Sequence, residues 1–191
     1  MASGEDRNSL YEQIQTRPDD WMKMACAAAF DSVRAGGGPF GAVLVHIDDE
    51  TGKVIRHWVG CNHVAEYCDP TAHAEISIIR QACKELGVFN LSNISDEISN
   101  LIQPTSLSHC ELYSSCEPCP MCYGAIRWAQ IPALTFALTR FDACSHGFRD
   151  MEIYDELTQS FERRRLKVRK AEFPEALDAF NLWQSSENQR Y

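Results

Sequence analysis

Two short stretches of the chain carry residue types suited to one metal centre: Thr71-Ala72-His73-Ala74-Glu75 and Pro118-Cys119-Pro120-Met121-Cys122. One imidazole and two thiolates offer zinc three protein ligands and leave the fourth position for water. That is the arrangement of a catalytic site, whereas a closed structural site takes a fourth protein ligand. Glu75, two residues beyond the histidine, is the carboxylate that a hydrolytic centre needs to move protons. The expected ligands are thus His73, Cys119 and Cys122, the expected cofactor is one Zn2+ per subunit, and Glu75 is the expected catalytic residue.

These residues impose conditions on the elements that carry them. Pro118 suits the first position of a helix, where its missing N–H costs nothing, and a helix over 118–128 puts Cys119 and Cys122 on one face of the first turn. Free N–H groups and the positive end of the helix dipole favour thiolates there. A second helix is expected from Asp69-Pro70 to about Leu86. In a regular helix interior Glu75 would point away from His73, so the first turn must bring both inward. Cys116 also forms a CxxC with Cys119, but the residue before a proline is pushed out of the α region. The chain through Glu117 should be extended, which takes Cys116 off the shared face and assigns it to the wall.

The remaining elements follow from periodicity. A helix is expected from Asp19-Asp20 to about Ala35, with Met22, Cys26, Ala29, Phe30 and Val33 as its apolar positions. Gly36-Gly37-Gly38-Pro39 stops it. Strands are expected over 40–47, 54–61, 109–114, 134–138 and 166–170, with further helices over 151–161 and 174–183. The stretch from Asn90 to Ser108 reads as a surface excursion around Ile94, Ile98, Leu101 and Ile102. This order implies α/β architecture, a three-layer α/β/α sandwich around a mixed five-stranded sheet.

Composition narrows the function classes. At 191 residues the chain can build a substantial core without disulfides, and no apolar run reaches the length of a membrane span. The polar start is not a signal peptide, and nine cysteines, an odd number, read as reduced thiols plus a metal site. Cytoplasmic localisation and no membrane partner are the expectation. A formal net charge of −9 disfavours nucleic acid as a partner, and the basic cluster from Arg163 to Lys170 reads as the solvated face of a strand. His46, His57 and His63 read as structural or surface histidines, and Cys61 and Cys68 as buried or incidental thiols.

Taken together the motifs resemble the cytidine deaminase-like zinc hydrolases, in which His-x-Glu and Pro-Cys-x-x-Cys form the signature. Within that family the chain is similar to the small bacterial-type guanine deaminases from about Trp21 to Tyr191, with the 90–108 excursion longer than the usual link. The resemblance rests on the stretch from Gly37 to Val43, on Asn62, on the stretch from Ser115 to Cys122, on Gly124-Ala125-Ile126 with Trp128, and on Gly147-Phe148-Arg149-Asp150. Arg149 departs from it, since an acidic residue is expected there.

The resemblance implies conversion of guanine to xanthine and ammonia. Asn62 and Asp150 would read polar edges of the ring, Phe40, Trp128 and Phe148 would form its walls, and the terminal Tyr191 would close the pocket. It also implies a homodimer with exchanged C-terminal segments and a small-molecule purine substrate. On this reading residues 1–18 are a polar extension, and 19–191 form a single zinc deaminase domain whose C-terminal tail closes the site. Plant-type guanosine deaminases share the Gly-Gly-Pro-Phe-Gly stretch, so base against nucleoside stays open. The tRNA-specific adenosine deaminases share the zinc motif but generally have a basic surface and lack the tail.

Overall fold

A computed structural model describes residues 9–189. The sheet has five strands: β1 (Gly41–Asp48), β2 (Val54–Cys61), β3 (Ile94–Ser95), β4 (Leu107–Cys116) and β5 (Ala133–Leu138). Strand β1 lies between β2 and β4 and is antiparallel to both, while β5 runs parallel to β4 along residues 111–116, so the sheet is mixed. Alternation along β1 divides the core. Ala42 and Leu44 join Leu112 and Cys110 against Ile78, Ile79, Ala82 and Ile126, whereas Val43 and Val45 pack on the opposite face against Ala25, Trp21 and Met24.

The helices on the first of these faces are α3 (Ala74–Leu86) and α4 (Pro120–Trp128), and on the other lies α1 (Asp20–Arg34). Between α1 and α3 sits the single turn α2 (Val64–Tyr67). After β5 come α5 (Arg140–Ser145), α6 (Asp150–Leu157) and α7 (Asp178–Ser185). The architecture is the expected three-layer α/β/α arrangement. Among the described residues no helix is long and apolar enough to cross a membrane.

Several expectations need correction. On α1 the buried residues are Met22, Ala25, Ala29 and Ser32, while Phe30 and Val33 stand exposed. The cause is a close approach: a Cβ on Gly41 would lie 2.4 Å from Ala25 O and Ala29 N, so only small side chains fit where α1 passes the start of β1. The fifth strand is β3, inside the 90–108 stretch, and not 166–170, which forms no strand. Alternation at Leu166 and Val168 has no sheet neighbour to pair with, and both side chains are exposed. The 90–108 stretch is correspondingly less superficial than expected, because Leu91 and Ile94 are fully buried in the core.

The extension before α1 is fastened through Tyr11. The Tyr11 hydroxyl donates to Glu117 Oε2 at 2.7 Å, and its ring meets Phe136 and Phe141 edge-on. Besides β3, the α-helices α2 and α5 went unforeseen. The second is announced by Thr139-x-x-Asp142, whose reciprocal side chain–backbone hydrogen bonds form a capping box. His46 is fully buried in β1, its Nε2 2.6 Å from Ser108 Oγ, which makes it a structural histidine.

Candidate metal centre and substrate cavity

The site is built where two helices begin. His73 is not inside α3 but is its N-cap, with extended backbone (φ −72°, ψ 158°). The chain from Asp69 is a turn held by Thr71, whose N–H and hydroxyl donate to Asp69 Oδ1 at 2.8 and 2.7 Å, so the helix opens at Ala74 and not at Asp69. This resolves the directional conflict: an extended His73 followed by a helical Glu75 lets both side chains face inward. Cys119 is likewise the N-cap of α4 (φ −62°, ψ 166°), and Pro120, not Pro118, occupies the first helical position. The expected advantage of a proline at that position holds, two residues later. Both helix N-termini therefore bring their partial positive charge to one place.

There the donor atoms gather. Cys122 Sγ is 3.4 Å and Cys119 Sγ 3.7 Å from His73 Nδ1, and the donor atoms of these three residues lie within 4.8 Å of one another. Two ligands of a tetrahedral zinc with bonds of 2.0–2.3 Å are about 3.5 Å apart, so the set fits zinc. The electrostatics agree. A hydrogen bond from Cys122, aided by one from His73, holds the Cys119 thiol down to about 4 against the cost of burial, while Cys122, sharing the same proton, is pushed up. The same contact with Cys119 raises His73. The three side chains thus compete for protons that a divalent cation can replace.

Cys116 stands apart. It is buried, its thiol donates to Thr139 O at 3.7 Å, and burial pushes it up to about 12. It is neither in the ligand group nor in the cavity wall to which it had been assigned.

The cavity beside the donors has a volume of about 430 Å³. Glu75 reaches it from α3, 5% exposed, with Oε1 accepting from Ser114 Oγ at 3.4 Å, and burial raises its carboxyl above the usual range. Asn62 follows β2, and its Oδ1 accepts from Val64 N–H at 3.2 Å, leaving the amide N–H groups as donors for a ligand. Asp150 opens α6, with its carboxyl raised by burial. Phe40 and Phe148 meet edge-on at 4.7 Å between ring centroids. All five side chains line the cavity, from four separate segments of chain.

Trp128 does not. It lies at the far end of α4, 72% exposed, because the helix starts at the metal ligands and runs away from them. Tyr191 lies outside the described residues. Glu117 lines the cavity without having been singled out; its carboxylate accepts from Tyr11 and from the Arg140 N–H at 2.9 Å. Its place between Cys116 and Pro118 was the available signal.

Fold and site together define a hydrolase built around a zinc centre, and the chain belongs to the family of the cytidine and deoxycytidylate deaminase zinc-binding region, whose profile matches residues 15–138. It is a zinc-dependent aminohydrolase. Over 173 residues it is 39% identical to the guanine deaminase of Bacillus subtilis (strain 168), covering 90% of this chain and 97% of that one. The X-ray structure of Bacillus subtilis guanine deaminase superposes with a TM-score of 0.73 at 38% identity, covering 92% of this chain and 99% of the other. A tRNA-specific adenosine deaminase of Buchnera aphidicola subsp. Schizaphis graminum is 30% identical over 154 residues, 81% of this chain and 84% of its own.

Proposed function

We propose that the chain deaminates guanine hydrolytically to xanthine and ammonia in the cytoplasm. The observation that supports this most is the likeness to a guanine deaminase across nearly the whole of both chains, coupled to a cavity in which an amide donor and a carboxylate acceptor face the metal donors. His73, Cys119 and Cys122 would hold zinc, which would supply Lewis acidity and make a water easier to ionise. Glu75 takes one proton of the attacking water and passes it to a ring nitrogen, then carries the water's second proton to the departing amine. Asn62 donates to acceptors on the ring edge, and Asp150 accepts from its N–H and amino groups. Phe40 and Phe148 form the apolar walls.

Measuring ammonia release from guanine, guanosine, adenine, cytosine and an adenosine-bearing RNA stem-loop tests the assignment. Guanine is expected to give the highest kcat/KM. A larger value with guanosine, or release from the stem-loop with salt-sensitive binding, would replace it. Asp150→Ala should lower kcat/KM for guanine about 10–100-fold, since a donor whose partner is removed inside a site loses about 1–3 kcal/mol.

We further infer a homodimer in which the C-terminal segment, ending in Tyr191, closes the partner's cavity. What supports it is an apolar segment with little of its own chain to cover it: Phe173, Phe180 and Leu182 are at least 65% exposed. Removing the last residues should lower kcat/KM by about tenfold or more if an aromatic cover worth a kcal/mol or two is lost. Mixing a tail-deleted chain with a Glu75→Gln chain should restore activity, because one site then has both a glutamate and a borrowed tail. No restoration in verified heterodimers would mean that each tail serves its own site.

A further inference from the structure

A second cavity, about 360 Å³, adjoins the first and shares Gly36, Gly37, Asn62 and Ala65 with it. The dividing wall has no slack. A Cβ on Gly37 would lie 2.7 Å from Asn62 O, and that same carbonyl accepts from Ser32 Oγ at 3.3 Å. On the far side of this wall stand Cys61, His63 and Glu66, none of which has a part in the deamination described above.

Their geometry is that of a nucleophile, a base and an orienting carboxylate. Cys61 Sγ is 3.6 Å from His63 Nε2, and His63 Nδ1 is 2.8 Å from Glu66 Oε2. The carboxylate accepts only, so it fixes the proton of a neutral imidazole on Nδ1 and leaves the Nε2 lone pair for the Cys61 S–H. The turn α2 makes this possible, because it places Glu66 and Tyr67 three and four residues beyond its N-cap His63. The Tyr67 ring stacks flat on the imidazole, 4.8 Å between centroids and 7° between planes, which holds the ring in its plane. Burial and the Glu66 charge push the Cys61 thiol above its ordinary value, so the resting group is an S–H that needs the neighbouring base to become a nucleophile. This is the general form of an activated nucleophile, a side chain hydrogen-bonded to a base that a third group orients.

We infer that Cys61 is a thiol-modification site, which exchanges with a low-molecular-weight disulfide entering the second cavity and thereby impairs the deaminase cavity through Asn62. In the exchange His63 Nε2 takes the thiol proton and Cys61 Sγ attacks one sulfur of the disulfide. A new S–S bond forms to Cys61, the original S–S bond breaks, and the departing thiolate takes the proton back from His63. A thiol and a disulfide go in, and a mixed disulfide and a thiol come out. The adduct occupies space bounded by Gly36, Gly37 and Asn62, so the strain falls on the residue that donates to the substrate.

The test uses the zinc-loaded full-length protein and bis(2-hydroxyethyl) disulfide, with peptide mapping by mass, zinc content and deaminase activity followed together. Cys61 should form its adduct faster than the exposed Cys26, Cys68 and Cys144. Activity should fall in step while zinc is retained, and a reducing thiol should restore it. His63→Gln should slow the Cys61 adduct by about 10²-fold, the lower range for a positioned base, and leave the Cys144 rate unchanged. Glu66→Gln, a change at an exposed side chain, should slow it less, and Cys61→Ser should remain active and resist the disulfide. The inference is overturned by a Cys61 rate no greater than that of Cys144, by no response to either His63→Gln or Glu66→Gln, or by a full Cys61 adduct with undiminished activity. The mass readout does not depend on which ring the enzyme deaminates, so its failure is separable from failure of the guanine assignment.

Discussion

Glu75→Gln is expected to keep its zinc and lose about 10²–10⁴-fold in turnover, the range that a positioned general acid–base contributes. The substitution is nearly isosteric, and the amide oxygen can still accept from Ser114 Oγ as Glu75 Oε1 does. What it removes is the ability to hold and release a proton. Because Glu75 is 5% exposed and its carboxyl is raised by burial, replacing it with a neutral amide also removes the cost of a buried charge. Thermal stability should therefore be equal to or above that of the parent, and the loss cannot be assigned to misfolding. Turnover, metal analysis and a melting curve on the same preparation check this. Full turnover at unchanged zinc content would sink the proton-shuttle mechanism.

Cys122→Ala should abolish stoichiometric zinc and with it the activity, while Cys116→Ala should keep one zinc per chain. Two remaining ligands hold zinc poorly, and Cys122 is the donor closer to His73 Nδ1, at 3.4 Å. Cys116 instead turns toward Thr139 O and is absent from the ligand group. Metal that binds the folded chain adds to its stability by mass action, so the parent and Cys116→Ala should melt lower after chelation. Cys122→Ala should melt at the same temperature with or without the chelator. Retained zinc in Cys122→Ala together with zinc loss in Cys116→Ala would exchange the two assignments.

Much of the fold was legible because its signals are local. The strands β1 and β2 are set by alternating or continuous apolar residues on either side of Gly52, and α1 by its acidic start and the glycines that end it. What periodicity could not report is which neighbour an apolar residue meets. Phe30 and Val33 keep helical spacing but face outward, since Gly41 brings β1 too close to α1 for large side chains. The alternation at 166–170 is equally regular and finds no strand to pair with, whereas the two residues of β3 carry almost no pattern and pair with β4 through Ser108 and Leu107.

In the site the division is similar. His73, Glu75, Cys119 and Cys122 announce themselves by type and spacing, because the chemistry demands those donors and each motif fits within one helical turn. Where those turns begin was misplaced: the expected starts at Asp69-Pro70 and Pro118 lie ahead of the observed ones at Ala74 and Pro120. The hydrogen bonds of the Asp69–Thr71 turn and the extended backbone at His73 and Cys119 decide it. Trp128 shares a helix with two ligands and yet lies away from the cavity, while Asp150 is twenty-eight residues beyond Cys122 and lines it. The chain by itself pointed to the candidate metal donors, the proposed proton carrier and the layered architecture, because each motif and each element is encoded in residues a few positions apart. Only the tertiary structure decided the cavity walls, because those depend on where loops carry side chains after the helices and sheet have packed.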